Sequence, residues 1–491
     1  MIKMRGSEQK ISFLEKLGYS LGDLAANLIF QTLMTFLAFF YTDVYKILPN
    51  IASTIIFVGG MTGAFFNPVM GIIADRTQTR WGKFRPWILW TAIPFGLMAI
   101  LAFRTPEYSL NGKITYALIT YILLVVIYSA NNLPYASLSG VMTGSMKERN
   151  SISSYRFTAV MIAQFLVQSL LLPLVYILGD GSKTLGFERA ITMFAIIGII
   201  FFIITFLTTR ERIQPKEEQK TSVKDDLKDL FKNKPWFAML LATIFIFITL
   251  SLKGGMYVYY FDNYLSVTGL QEFLNDIGFN SLIANLNKLL VSMGMHGFKW
   301  PDDPATSGFS IFNAIGIVMM IVGIGISKPI ADKYGKRNVF GYSIVLSAIT
   351  LIAFYFYSPS AIYLVFVTQC IHGFFYGIST PLLWAMIADV ADYSEWKNNR
   401  RATAIIFSAM IFGLKAGLSI GGALVAGILG FYGYNELLTE QSEKAVLGIQ
   451  LSVSIYPAIT FLLAAASLFM YEIGKRKEMQ IQEDLEKRRV G

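Results

Sequence analysis

One hydrophilic run, Arg210 to Pro235, carries 14 charged residues in 26 and divides an otherwise apolar chain of 491 residues almost in half. A segment so dense in charge cannot enter lipid. On each side of it lie roughly 200 or more residues broken only by short polar connections, long enough for several membrane crossings apiece. The charged share is 15%, against roughly 25% in soluble domains, so the chain reads as an all-α, polytopic membrane protein. Cys370 is the one cysteine, and His296 and His372 the two histidines, which argues against disulfides, zinc or haem. No cofactor is expected. The net charge of +10 raises nucleic acid as a partner, but where the charges fall argues against it.

At about 20 apolar residues per crossing, twelve spans fit: residues 17–41, 50–74, 86–103, 114–139, 153–178, 187–208, 236–261, 309–331, 338–357, 361–388, 403–431 and 446–472. An even number leaves both termini on one side. The connections and ends assigned to that side hold 30 of the 42 lysines and arginines, and those on the opposite side hold 8. This asymmetry places both termini and the strap in the cytoplasm. The start, MIKMRGSEQK, is polar, and the run behind it is long enough to span, so no cleaved leader is expected. The organisation is then a bundle at 1–209, a linker at 210–235, a bundle at 236–474 with a long outer loop at 263–308, and a cytoplasmic tail at 475–491. Leu270, Phe273, Leu274, Ile277, Leu282, Ile283, Leu286, Leu289 and Leu290 recur at helical intervals in that loop, which predicts helix acting as a packing insertion or a lid.

The second connection of each half carries a related pattern. Asp75 and Arg76 followed by Arg80, Gly82, Lys83 and Arg85 answer Asp332 and Lys333 followed by Gly335, Lys336 and Arg337. Two six-helix halves with matching turns resemble the major facilitator architecture, in which halves rock about a midplane site. Asp389, Asp392 and Glu395 precede Arg400 and Arg401 at the cytoplasmic end of the tenth span. They read either as a solvated helix end or as an inner gate paired with the Arg80 to Arg85 turn.

Charged side chains inside a span cost about 2.5–3.5 kcal/mol and so face a cavity or a partner. Asp23 lies one turn before Asn27 in GYSLGDLAANLIF, on the same helix face. Arg156 and Lys415 sit at depths closed to a lipid-facing cation, so either could pair with Asp23, as a plain interhelix bridge or as part of a binding cavity. Lys253 is expected to snorkel toward the cytoplasm. Tyr128, Asn131, Asn132 and Tyr135 flank Pro134, and Asn67 precedes Pro68. Such amides and phenols suit uncharged polar solutes, or serve as glue between helices.

Taken together, KLGYSLGDLAANL, FFYTDVY, NPVMGIIADRTQTRWGKFRPW, NNLPYASL, FKNKPWF and ADVADYSEWKNNRRATAIIFSAM, with GLKAG after it, resemble the glycoside–pentoside–hexuronide:cation symporter family, which includes the melibiose permeases. The resemblance implies a bacterial inner-membrane sugar transporter of major facilitator fold, driven by Na+ or H+. By the same resemblance Tyr128, Arg156 and Lys415 line the sugar and cation region. Asn27 and Asn132 stand where the melibiose permeases have aspartates, Gly63 and Asn67 at their acidic cation pair, and Ala136 and Thr380 at tryptophans. The expected substrate contacts are therefore Asp23, Asn27, Tyr128, Asn132, Arg156, Thr380 and Lys415, with Asp23, Asn67, Asn132 and Lys415 in cation coupling. With the usual carboxylates missing, the proton is favoured over sodium and Asp23 leads as the coupling group. An uncoupled facilitator, a sodium symporter and a carrier of a non-sugar solute remain alternatives. No catalytic constellation is apparent, and a monomer in the lipid bilayer with a small sugar as its partner is expected.

Overall fold

The computed structural model describes residues 10–143, 145–212, 232–293, 300–398 and 403–490. The described residues form helices joined by turns, and twelve of the segments are long and apolar enough to cross a membrane, the number expected. The backbone separates into two compact units. The first holds α1 (Phe13–Phe39), α2 (Pro49–Arg76), α3 (Arg85–Ala102), α4 (Leu110–Met142), α5 (Met146–Gly179) and α6 (Lys183–Thr208), together with Phe279–Ser310. The second holds α7 (Lys234–Asn263), α8 (Val267–Asp276), α10 (Pro304–Tyr334) from Ile311 on, α11 (Lys336–Ala353), α12 (Ile362–Asn398), α13 (Thr403–Tyr432), α14 (Glu443–Val453), α15 (Ile455–Ser467) and α16 (Lys475–Val490). Helix α9 (Phe279–Ser292) falls in the first.

Local chemistry sets the helix starts. Ser12, Ser145, Ser182 and Asn233 each accept the amide three residues on, satisfying a donor that the first turn leaves orphaned. The first span ends in a π-helical turn, Phe40–Val44, and the twelfth is broken at Ser454 into α14 and α15. In the first unit α1 lies against α5 and α6, while α4 packs on α2 and α3. Gly22 is required here, because a Cβ at that position would overlap the Tyr135 ring. Outward side chains such as Phe65, Ile72, Ile93 and Leu207 are exposed, as a lipid-facing surface demands.

The matching turns are anchored differently. Gly82 takes φ +112°, which brings the amides of Lys83, Phe84 and Arg85 onto the Glu211 carboxylate at 2.8, 2.7 and 2.9 Å. Glu211 thereby caps α3. Arg212 holds both Glu15 carboxylate oxygens at 2.7 Å. The strap's first residues are thus part of the first bundle, whereas a free linker was expected from residue 210; positions 213–231 lie outside the described residues. In the second unit Gly335 takes φ +88°, and the Lys336 ammonium sits 2.6 Å from Asp389 and 3.0 Å from Glu478. Asp389 therefore has a partner within its own half. Arg85 reaches the Phe206 carbonyl at 2.7 Å. Arg400, Arg401 and the Asp75 side chain lie outside what is described.

Two peripheral segments also differ from expectation. The tail forms α16, which buries Ile481 and Leu485 and whose Asp484 accepts from the Trp396 indole at 2.9 Å. It is a docked helix because Lys336 and Trp396 give its acids partners. The outer loop divides in its behaviour: α8 buries Leu270, Phe273 and Leu274, with Phe273 stacked 4.2 Å from Phe366, while Leu282, Leu286 and Leu289 of α9 stay exposed. The first part is a packing insertion.

Glu211→Ala removes the acceptor of three amides and is expected to cost about 1–2 kcal/mol, read as a lower melting temperature of the detergent-solubilised protein, with Glu107→Ala as the unaffected control. A second test concerns Glu148, whose carboxyl the Lys16 ammonium at 2.8 Å holds below the usual carboxylate range. A depressed carboxylate contributes stability above its unfolded value and loses it as pH falls through the folded one. The melting-temperature gap between wild type and Glu148→Gln should therefore be present at neutral pH and close on acidification.

Candidate functional site

Helix α1 presents Tyr19, Asp23 and Asn27 on one face, a turn apart. Arg156 of α5 places its Nε 2.7 Å from Asp23 Oδ2, so the expected partner of Asp23 is found on a neighbouring helix of the same unit. The Asn27 amide donates to the Asp23 carbonyl at 2.8 Å and approaches its Oδ1 at 3.5 Å. Beneath the guanidinium lie two rings, Tyr19 and Tyr135, at 5.6 and 5.3 Å, stacked on each other at 4.6 Å. Each tyrosine hydroxyl donates to the other's backbone carbonyl, at 2.8 and 2.6 Å. This reciprocal lock fixes α1 to α4 and makes a rigid aromatic floor for the cation.

The pair is unequally covered. The Asp23 side chain keeps 7% of its surface and Arg156 keeps 27%, so the guanidinium is the reachable partner. Among the described residues its two terminal amino groups have no hydrogen-bond acceptor, since Asp23 engages only Nε. An arginine has five N–H donors, which leaves a fork of donors for a bound solute. Tyr128 lies close by in sequence on α4, its ring between Phe30 at 5.7 Å and Phe95 at 6.0 Å. Asn131 is interhelix glue, donating to Thr91 at 2.8 Å, while Asn132 is half-buried and Asn67 is buried on α2.

Thr380 and Lys415 belong to the second unit. Thr380 turns its hydroxyl onto the Tyr376 carbonyl at 3.1 Å, and Lys415 is half-buried on α13. Lys253 departs from expectation. It stands 19 residues into α7, about 28 Å along the helix. It is buried, with its ammonium nitrogen 2.6 Å from His372 Nε2, so it does not snorkel. Tyr19 and His372 were not singled out in the sequence; the turn-apart spacing of Tyr19 and Asp23 was the available signal for the first, and a lone histidine in an apolar span gave none for the second.

The family described as MFS/sugar transport protein matches residues 18–286 and 303–475. The chain belongs to this family. Among its relatives, the inner membrane symporter YicJ of Escherichia coli (strain K12) is 34% identical over 93% of this chain and 90% of its own length. The putative glycoside/cation symporter YagG of the same strain is 30% identical over 98% and 96%. A solved structure of the nucleoside transporter NupG, in a mutant form, superposes with a TM-score of 0.60 at 14% identity, covering 93% of this chain and all 100% of that one, which is a likeness of fold. As a member of the sugar-transport branch of the major facilitator fold, this is a multi-pass membrane transporter and not an enzyme. That gives the Asp23 and Arg156 pair a setting in which polar solutes must be met at depth.

Breaking the pair from one side strands the other charge, at about 3–5 kcal/mol. Asp23→Asn and Arg156→Gln should each lower thermal stability sharply, and the double variant should recover most of it. If the double variant is as unstable as the sum of the singles, the two side chains do not act as a pair.

Proposed function

We propose that the protein imports a sugar or glycoside by alternating access across the inner membrane, coupled to a cation, with the proton favoured over sodium and both termini in the cytoplasm. The observation carrying this reading is the Arg156 guanidinium, fixed through Nε by Asp23 over two tyrosine rings, with its remaining donors uncommitted among the described residues. Planar, preorganised donors beside aromatic faces suit vicinal hydroxyls and the apolar face of a pyranose. A carboxylate on the sugar would be held more strongly still, by two parallel charge-assisted bonds. Asn27 and Asn132 contribute uncharged donors and acceptors, and Tyr128 an aromatic wall.

The preference for the proton follows from ligand chemistry. Sodium is held by several oxygens, at least one of them anionic, and Gly63, Asn67 and Asn132 supply no carboxylate. Asp23 holds the guanidinium that carries the uncommitted donors, and it is the coupling group of this reading. The glycoside and cation in the name of the relative YagG support a sugar or glycoside carried together with a cation.

The test is reconstitution into proteoliposomes with radiolabelled methyl β-D-xyloside and methyl β-D-glucuronide as probes. Counterflow of at least one probe is expected, together with accumulation driven by an inward pH gradient that is abolished by a protonophore and unchanged when potassium replaces sodium. Arg156→Gln should abolish both activities. Accumulation that persists without a pH gradient but needs sodium would reverse the ion assignment, and equilibration without accumulation would make the protein a facilitator.

A further inference from the structure

The second unit contains a polar cluster that the site above does not use. Lys253 of α7 and His372 of α12 are both buried, at 8% and 1% exposure, with Nζ and Nε2 2.6 Å apart. The other ring nitrogen, Nδ1, lies 2.9 Å from the Thr350 hydroxyl and 3.2 Å from the Ser347 carbonyl, both on α11. The Ser347 carbonyl can only accept, from the Thr350 hydroxyl at 2.7 Å and from Nδ1 at 3.2 Å. The Nδ1 contacts must therefore be carried by Nδ1–H, which leaves Nε2 as a lone pair facing Lys253. A doubly protonated imidazole would turn an N–H toward the ammonium, so the pair holds at most one positive charge.

Among the described residues no carboxylate lies within ion-pairing distance of Lys253. What faces its ammonium is aromatic: the rings of Tyr257 on α7 and Tyr376 on α12, at 5.8 and 5.7 Å, and the buried Tyr257 hydroxyl has no hydrogen-bond partner. From α11 come Thr350 and Ser347, uncharged, and from α15 Phe461, stacked 6.2 Å from the His372 ring. Helix α13 carries Lys415, but its Gly417 and Gly421 meet Ile244 and Ile248, which sets Lys415 about three turns from Lys253 along α7. Helices α8 and α14 bring Glu272, Asp276, Glu443 and Lys444 only as exposed groups, and the charges of α16 meet the far end of α12 at Trp396.

We propose that Lys253 and His372 form a proton-exchange site of the transport cycle. On release, one N–H bond of the Lys253 ammonium breaks and the proton passes to a water molecule as hydronium, leaving a neutral amine beside a neutral imidazole. Uptake is the reverse. Either way the buried charge of the second unit changes by one, and the cost of keeping that charge in a low-dielectric bundle is what a conformational change can relieve. This proposal rests on the proton coupling argued above and adds a second protonatable locus to Asp23, which is already engaged with Arg156.

The full-length protein, labelled with 15N-histidine, carrying His296→Asn and placed in bilayers of phosphatidylethanolamine and phosphatidylglycerol, is titrated by NMR from about pH 5 to about pH 9, the range over which imidazoles and perturbed amines exchange protons. His372 is expected as the Nδ1–H tautomer throughout, with a single step in its Nε2 shift as Lys253 discharges. In Lys253→Met that step should vanish from the Nε2 shift. An Nε2–H tautomer, or no step in wild type across this range, overturns the proposal. In proteoliposomes with the two methyl glycosides as probes, Lys253→Met and the milder His372→Gln, which keeps an amide oxygen for Lys253, should lose pH-driven accumulation and keep counterflow. Accumulation that survives both changes overturns it as well. Should wild-type vesicles take up neither probe, the sugar reading fails by itself, and the histidine titration decides the proton site.

Discussion

A charged side chain at mid-depth in a membrane has few ways to exist. Water is absent on the lipid side, so it must find an opposite charge, a ring of dipoles or a wet cavity, and the helices carrying these groups must be held in register for the contact to persist. In this transporter the pair of Asp23 and Arg156 meets that demand in the first unit, and the surrounding structure is arranged to preserve it. Gly22 admits the Tyr135 ring against α1, the two tyrosines hydrogen-bond each other's backbones, and the resulting stack lies under the guanidinium. The ion pair is thus held by packing on three helices, and its geometry leaves the arginine, not the aspartate, accessible.

The repeated turns show how little a sequence repeat says about partners. Both need a glycine at positive φ, at Gly82 and at Gly335. The first then exposes a row of amides at a helix start, which only an acceptor can satisfy, and Glu211 supplies it from the beginning of the strap. The second presents the Lys336 ammonium, which calls for anions, and Asp389 and Glu478 supply them, the latter from the tail helix. In each half a segment that looks like polar overhang in sequence serves as an anchor within its own bundle.

The twelve crossings were legible because hydrocarbon imposes length and apolarity without exception, and so was the need of Asp23 for a cationic partner at that depth, with Arg156 and Lys415 both open until the structure placed Arg156 against it. Position along a helix was harder to read. Lys253 looks able to reach the surface until its distance from the helix start is counted. Glu211 and Arg212 were hidden inside a charge run, where nothing separates an anchoring acid from a solvated one. His372 had no periodic signal, since its significance lies in the lysine of another helix and in a hydroxyl of a third. Helix α9 kept the amphipathic spacing that predicted it, but amphipathicity alone did not reveal that α8 would be buried and α9 exposed.

The magnitudes bear on why transport of this kind couples two solutes. Removing one buried charge relieves about 2.5–3.5 kcal/mol on insertion scales. Turning a two-state equilibrium from 1:99 to 99:1 needs about 5.5 kcal/mol. A single proton at the proposed Lys253 and His372 site would fall short of that by about half. The remainder, about 2–3 kcal/mol, is of the size that one or two charge-assisted hydrogen bonds from Arg156 to a sugar would supply in the proposed cycle, at about 1.5–3 kcal/mol each. On that proposal neither the proton of this pair nor the sugar supplies the whole bias alone, and the two together do, which is the energetic condition for symport without leak.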